Sequence, residues 1–419
     1  MTIQIISLAF LVGAIVLGFA RKVNVGFVSL GMALILAKIG GIGNSDIFNG
    51  FPHRLFLTLL GTMFFFSLLQ ENGTLNVISS RIVASVGSHA YLVPVIIYLV
   101  SFVLSAAGPG AISVQAVTVV FAVSLAVQMK ASPVLMGAMA ILGAVGGTAS
   151  PIALTGIIVR DLTAGLDVPN LGSALFIGVA AANFLCAVVV YLVCGGYKLK
   201  HSPETLVNLK QKDPLNRQQI MSLIATVALI VLVVGFQWDV GLLCFSLSLL
   251  LILFGAANEK AAIKIIPWGT LILICGVSVL MNVTQKLGGI ALLSDLLSRI
   301  MNPTTASPIM GLTGGIMSWF SSANGVVFPT LIPTTPNIAT QVGGGVRIIE
   351  LVLAVVAAAT VAGISPLSTG GSLIMASYTR EAGIGENEQQ KLFGKLFMIS
   401  ALSVVVTVIF AFTGFYGVL

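Results

Sequence analysis

The chain has 419 residues, of which 57% are hydrophobic and 8% are charged, and its formal net charge is +7. Soluble globular domains do not combine these proportions, so the composition excludes them and predicts a polytopic membrane protein. We attribute the basic excess to cytoplasmic loops and not to nucleic-acid binding. The chain starts directly in an apolar run without a basic leader, so no cleaved signal peptide is expected.

In chain order, the sequence predicts ten membrane spans of roughly 20 residues, five in each half. The fourth span of each half is interrupted by Gly, Ser, Thr and Pro residues, at 146–152 and at 362–369, which predicts broken helices. The predicted spans are 2–19, 24–40, 54–72, 133–165 and 172–195 in the first half, and 218–235, 238–255, 267–285, 348–379 and 396–417 in the second.

Between the third and fourth spans, each half carries two apolar arms around a tip of small and polar residues. Arms of about 14 residues are too short to cross a hydrocarbon core of about 30 Å, so each pair predicts a re-entrant hairpin. Short amphipathic segments precede both hairpins and are expected to lie along the membrane interface. The arms and tips are 91–104, tip 105–113 and 114–128, then 306–320, tip 321–327 and 328–339.

The two halves repeat each other at an offset of 215 residues. Ser150-Pro151 recurs as Ser365-Pro366, within the two predicted breaks. Five spans per half is an odd number, so the second half is expected to be inverted relative to the first. With both termini outside, 14 of the 20 Lys and Arg residues fall on the cytoplasmic side, which supports this orientation. Other matched pairs are Gly26 and Gly241, Gly61 and Gly276, and Gly156 and Gly371.

Duplicated broken helices predict one substrate and ion site near the bilayer midplane. Backbone N–H groups at the tips suit an anion, and freed carbonyls and hydroxyls at the breaks suit Na⁺. No charged residue or histidine lies in a tip or break, which favours Na⁺ coupling over proton coupling. The predicted Na⁺ ligands are Ser105, Gly108 and Ser150, and their counterparts Ser321, Asn324 and Ser365. The predicted substrate-binding residues are Pro109, Gly110, Thr148, Asn324, Gly325 and Thr369.

The tips and breaks together resemble the ion-transporter superfamily, most closely the bacterial dicarboxylate/malonate carriers (MatC-type permeases) and more distantly the divalent anion/sodium symporters. In the sodium-dicarboxylate relatives each tip carries Ser-Asn-Thr, whereas here the first tip reads Ala107-Gly108-Pro109 and only Asn324 survives in the second. The resemblance implies a homodimer with a static scaffold and a transport domain that moves as an elevator. Mapped onto this chain, it implies a scaffold of 1–74 and 218–289, arm helices at 75–89 and 290–301, a transport domain of 90–195 and 302–419, and a cytoplasmic linker at 196–217.

The sequence therefore predicts an all-α membrane protein of two inverted repeats that carries malonate or a C4-dicarboxylate with Na⁺ across a bacterial inner membrane. No organic cofactor is expected. A proton-coupled or exchange carrier of a monocarboxylate or oxyanion, and the membrane subunit of a tripartite carrier, are the alternatives. An enzyme is not expected, because the apolar spans contain neither a nucleophile–base pair nor a metal cluster.

Overall fold

Long apolar runs form helices throughout the chain, because a helix satisfies its own backbone hydrogen bonds where water is absent. The computed structural model describes residues 2–21, 23–75, 77, 89–166, 168, 171–199, 215–236 and 238–419. Within these ranges there is no strand, and six helices are long and apolar enough to cross a membrane. Shorter apolar helices of 10–17 residues accompany them. The chain is thus an all-helical, polytopic membrane protein.

The helices of the first half follow the predicted spans within a few residues. In each half, one short helix that was not predicted precedes the third span. The helices of the first half are α1 Thr2–Arg21, α2 Val25–Ile39, α3 Asn44–Asn49, α4 His53–Glu71, α5 Val93–Ala106, α6 Gly110–Gln128, α7 Pro133–Gly147, α8 Leu154–Leu162 and α9 Leu171–Val193.

The second half repeats this order. Its helices are α10 Arg217–Ile230, α11 Val240–Leu253, α12 Glu259–Ile265, α13 Trp268–Lys286, α14 Gly289–Ser298, α15 Ala306–Phe320, α16 Phe328–Leu331, α17 Thr335–Val342, α18 Ile348–Val361, α19 Thr369–Ala382 and α20 Glu386–Phe412. Helix α14 occupies the predicted arm at 290–301. The first predicted arm, at 75–89, lies mostly outside the described residues, as does most of the linker at 196–217.

The first hairpin differs from its prediction in the length of its second arm. Helix α5 ends at Ala106 and α6 begins at Gly110, so three residues form the tip in place of the nine predicted. Gly108 and Gly110 have φ angles of +131° and +71°, which let the chain reverse this tightly. As a result α6 has 19 residues and by length and composition is able to cross the membrane, so the prediction of two short arms is wrong for α6.

Both predicted helix breaks are present, and each contains the same close contact between a serine carbonyl and a glycine. In the first, α7 ends at Gly147 and α8 begins at Leu154; in the second, a 3₁₀ turn at Ala362–Ile364 follows α18 before α19 begins at Thr369. A Cβ atom at Gly156 would overlap the Ser150 carbonyl oxygen, and a Cβ atom at Gly371 would overlap that of Ser365. The glycine six residues after each serine therefore allows the helix to restart against the break.

Glycines also bring helices of the two halves into direct backbone contact. A Cβ atom at Gly276 in α13 would overlap the carbonyl oxygen of Gly26 in α2. Equivalently, a Cβ atom at Gly61 in α4 would overlap the carbonyl oxygen of Gly241 in α11. Small residues permit such close approach between membrane helices. Reciprocal contacts of this kind are the pattern of a two-fold related pair.

Helices α4 and α13, which are equivalent in the two halves, run in opposite directions. At the end of α4, Glu71 Oε2 accepts a hydrogen bond of 3.0 Å from the backbone N–H of Asn258, just before α12 and α13. At the end of α13, Lys286 forms an ion pair with Asp46 in α3, just before α4. The inversion predicted for the whole second half requires this arrangement of α4 and α13. The inversion itself and the division into scaffold and transport domain remain predictions.

Candidate functional site

The second tip, the second break and the start of α6 surround a cavity of about 280 Å³. The start of α13 closes one side of it. The lining is rich in hydroxyl and amide groups, and none of the lining residues, all of them in the described part of the chain, is charged. The polar lining residues are Gln115, Thr148, Thr155, Thr270, Ser318, Ser321, Ser322, Asn324, Thr360, Ser368 and Thr369.

The second tip lines this cavity with Ser321, Ser322, Ala323 and Asn324. After α15, Ser321 is extended, and a single π-helical turn runs from Ala323 to Val327. The Ser322 hydroxyl accepts a hydrogen bond of 3.1 Å from the Gly325 N–H and so caps the turn. The first N–H groups of a helical turn have no acceptor within it, so those at Ala323 and Asn324 are available to an anion.

The first break is connected to both tips. The Thr148 hydroxyl oxygen accepts a hydrogen bond of 3.3 Å from the Ala111 N–H, directly after the first tip. Thr155, which is fully buried near the start of α8, donates a hydrogen bond of 2.9 Å to the side-chain oxygen of Asn324 in the second tip. Residues of the first half therefore position a residue of the second tip.

The second break directs its hydroxyl groups both inward and toward the cavity. Ser365 is fully buried; its hydroxyl accepts a hydrogen bond of 3.3 Å from the Leu367 N–H, and its carbonyl accepts one of 2.7 Å from the Ser368 hydroxyl. Thr369, at the start of α19, is exposed to the cavity. The break is thus held by its own hydrogen bonds and presents Ser368 and Thr369 to a ligand.

The first tip is packed against its surroundings and does not line the cavity. A Cβ atom at Gly108 would lie 2.6 Å from ring carbons of Phe66 in α4, and one at Gly110 would lie 2.8 Å from the Cβ atom of Leu154. Pro109 is also buried. The two tips therefore differ: the first contacts α4 and the first break, and the second lines an accessible cavity.

The predicted site residues fall into two groups. Of the predicted substrate-binding residues, Thr148, Asn324 and Thr369 line the cavity, whereas Pro109, Gly110 and Gly325 do not. Of the predicted Na⁺ ligands, Ser321 and Asn324 line it, whereas Ser105, Gly108, Ser150 and Ser365 are buried outside it.

Ser105 offers a buried hydroxyl oxygen. It lies at the last turn of α5, is fully buried, and its Oγ atom has no hydrogen-bond partner among the described residues. Ser101, one turn earlier in the same helix, is also fully buried, and its Oγ atom also has no hydrogen-bond partner among the described residues. Na⁺ prefers hard oxygen ligands, so the donor type at Ser105 fits this ion.

Several polar cavity residues were not predicted as site residues, among them Gln115, Thr155 and Thr270. Gln115 in α6 is 5% exposed, and its side-chain oxygen lies against Gly370 at the start of α19. A Gln at the start of the apolar arm 114–128, close to the tip, was a usable signal for it. Thr155 lies three residues after the predicted break at 146–152. Thr270 lies at the start of the third span of the second half, where nothing in the sequence marks it.

Comparison with solved structures finds similar folds. The chain is similar to the YdaH transporter of Alcanivorax borkumensis, with a TM-score of 0.58 and 13% identity over 88% of this chain and 86% of that one. It is also similar to MtrF of Neisseria gonorrhoeae, described as illuminating a class of antimetabolite efflux pumps. The TM-score is 0.56 and the identity 13%, over 88% of this chain and 82% of that one.

Sequence comparison matches the first part of the chain to a known family. We find no match among curated protein sequences. Residues 1–148, which contain the first hairpin and α7, match the family of the N-terminus of the dicarboxylate carrier protein MatC. The predicted resemblance to the dicarboxylate carriers is therefore confirmed over residues 1–148, and family and fold together support a membrane transporter and not an enzyme.

Proposed function

We propose that the protein is a secondary active transporter that carries a small organic dianion, malonate or a C4-dicarboxylate, together with Na⁺. The observation that carries this proposal is the uncharged polar cavity where the second tip meets the second break. Its size suits a small ligand, and the match of residues 1–148 to the MatC family supports a dicarboxylate.

The absence of cations from the cavity lining favours a co-transported cation. Transfer of a dianion from water into a site of low dielectric constant is costly unless its charge is offset. Backbone N–H, hydroxyl and amide groups stabilise carboxylates, but they leave the net charge unchanged. Na⁺ bound beside the cavity, at Ser105 with Ser150 and at Ser321 with Ser365, would offset it. The buried, unpartnered Ser105 hydroxyl supports the first of these sites.

Alternating access is proposed to occur by an elevator movement of residues 90–195 and 302–419 against a dimeric scaffold of residues 1–74 and 218–289. Thr270 and Leu273 line the cavity near the start of α13, on the side of the molecule where α4 ends. If both termini lie outside, this is the cytoplasmic face of the inner membrane. The contact of the first tip with Phe66 supports a relative movement in which α4 and the transport domain exchange partners.

Uptake into proteoliposomes tests the proposal. Radiolabelled malonate or succinate is expected to accumulate when a Na⁺ gradient is imposed and not when choline replaces Na⁺. Equal uptake in both buffers would exclude Na⁺ coupling, and uptake that follows an imposed pH gradient alone would favour a proton-coupled carrier. Failure of the purified chain until a binding protein is added would favour a tripartite carrier. Vesicles loaded with substrate measure export, the direction associated with the Neisseria protein.

Two threonine variants test whether transport depends on the cavity. Thr369→Ala removes a hydroxyl that lines the cavity, and a lower apparent affinity for substrate is expected. Thr340→Ala is the matched control, because Thr340 is exposed on α17 and its hydroxyl donates only to the Pro336 carbonyl within that helix. Equal kinetics for both variants would contradict the assignment of the cavity.

A further inference from the structure

Two arginines lie at the opposite end of the molecule from the cavity just described. Arg54 is in the first turn of α4, and Arg160 is in the last turn of α8, after the first break. The cavity residues Thr270 and Leu273 lie near the end of α4 that carries Glu71, as the hydrogen bond between Glu71 and Asn258 requires. The arginines therefore face the other side of the membrane.

Both arginines line two neighbouring depressions, of about 220 Å³ and about 340 Å³. The larger one also contains Trp238 and reaches Pro151, the only exposed residue between Gly147 and Leu154. A path thus runs from the two guanidinium groups to the first helix break.

The guanidinium groups are available to a ligand. Among the described residues, neither forms an ion pair within 4.0 Å. Two carboxylates lie nearby: Asp239 is exposed and accepts a hydrogen bond of 3.0 Å from the Leu242 N–H, which caps α11, and Asp161 interacts electrostatically with both arginines. Asp161 and Asp239 thus balance the charge of the two arginines, but within the part of the chain that the structure describes neither forms an ion pair with them.

The arginine pair is not part of the repeated architecture. The positions 215 residues later are Gly269 and Met375, so the equivalent place on the other face carries no such pair. A feature needed to build the repeated fold would be expected in both copies. The pair instead distinguishes one face of the molecule from the other.

We propose that Arg54 and Arg160 form a second anion-binding site, which captures small dicarboxylates at the face opposite the cavity. The planar guanidinium group matches a carboxylate with two parallel hydrogen bonds, and two such groups suit a ligand with two carboxylates. Binding needs only these side chains; delivery of the ligand to the first break rests on the proposed function.

Fluorescence quenching of Trp238 tests the site without transport. In the Trp268→Phe/Trp319→Phe background, Trp238 is the only tryptophan. Iodide, an anion, is expected to quench it more strongly than in a further variant with Arg54→Gln and Arg160→Gln, by about twofold or more. Neutral acrylamide is expected to quench both proteins equally, which controls for a change in exposure. Succinate is expected to reduce iodide quenching in the parent protein, and acetate at equal ionic strength to reduce it less.

Arg299→Gln is the matched control, because Arg299 is exposed on α14 and pairs with Asp295. It is expected to leave iodide quenching of Trp238 unchanged. Equal iodide quenching with and without the two arginines, or no protection by succinate, would overturn the proposal. If the double-tryptophan background does not fold, the wild-type chain and its Trp238→Phe variant give the same comparison by difference.

Transport kinetics separate this proposal from the proposed function. Arg160→Gln is expected to raise the KM for succinate added on the arginine side several-fold and to leave its Na⁺ dependence unchanged. Succinate protection of Trp238 in a protein that takes up no dicarboxylate would contradict the proposed function and leave the anion site in place. Normal dicarboxylate uptake without succinate protection of Trp238 would contradict the anion site and leave the proposed function in place.

Discussion

Thr155 and Asn324 are joined by a hydrogen bond of 2.9 Å although they belong to different halves of the chain. The threonine follows the first helix break and the asparagine lies in the second hairpin tip. We expected Ser150 and Ser365 each to act with the tip of its own half. The contact between Thr155 and Asn324 means that the first break also orients the polar side chain of the opposite tip.

Replacement of Thr155 by Val keeps the shape of the side chain and removes the donor to Asn324. The loss of one such hydrogen bond costs about 0.5–1.5 kcal/mol, so the KM for the dianion is expected to rise about 2- to 10-fold. Thr407→Val is the control, since the buried Thr407 hydroxyl donates only to the Val404 carbonyl within α20. Unchanged kinetics in the Thr155 variant would show that Asn324 needs no such orientation.

Gln115→Glu introduces a negative charge beside the cavity. Two like charges at about 5 Å repel by about 3 kcal/mol at an effective dielectric constant near 20, so affinity for a dianion is expected to fall about 100-fold. The affinity is expected to recover as the pH falls, because protonation of the new carboxyl removes its charge. Gln128→Glu, at the exposed end of the same helix, is expected to bind normally at every pH. Wild-type affinity in the Gln115 variant would contradict an anionic substrate at this cavity.

Ser105→Ala and Ser101→Ala distinguish an ion ligand from a buried structural hydroxyl. Both hydroxyls are fully buried in α5 and have no hydrogen-bond partner in the part of the chain that the structure describes, but only Ser105 adjoins the first tip. Loss of one Na⁺ ligand at a cost of about 1–2 kcal/mol is expected to raise the Na⁺ concentration for half-maximal uptake about 5- to 30-fold in the Ser105 variant alone. The same shift in both variants, or in neither, would remove Ser105 from the ion site.

Gly26→Ala tests the packing between the two halves. Its Cβ atom would overlap the Ile272 carbonyl in α13, and overpacking of this kind costs about 1–3 kcal/mol. A lower unfolding temperature in detergent is expected. Gly31→Ala, in the same helix with nothing within 4 Å, is expected to be neutral or slightly stabilising, because Ala favours a helix by about 1 kcal/mol. Equal unfolding temperatures would mean that α2 and α13 separate easily.

The helix breaks were predictable because Gly, Ser and Pro interrupt apolar runs at matched positions, and both breaks lie where the Ser-Pro pairs indicated. The close helix contacts at Gly26 and Gly61 were predictable from the repeat of small residues. These signals are local, and the repeat makes each of them visible twice.

Other features depend on contacts between distant parts of the chain. The length of the first tip followed from the positive φ angles of Gly108 and Gly110, which composition does not reveal. Thr155 and Asn324 are 169 residues apart, and although Asn324 was predicted as a site residue, nothing in the sequence pairs it with Thr155. Thr270 enters the cavity only because α13 packs against the second tip.

The reciprocal glycine contacts have a consequence for how such a chain arises. Gly26 meets Gly276, the counterpart of Gly61, and Gly61 meets Gly241, the counterpart of Gly26. A single unit therefore contains both surfaces of the contact, as in a self-complementary dimer. Two separate copies of one ancestral half would fit together through the same glycines, so joining them into one chain needed a linker and no new interface.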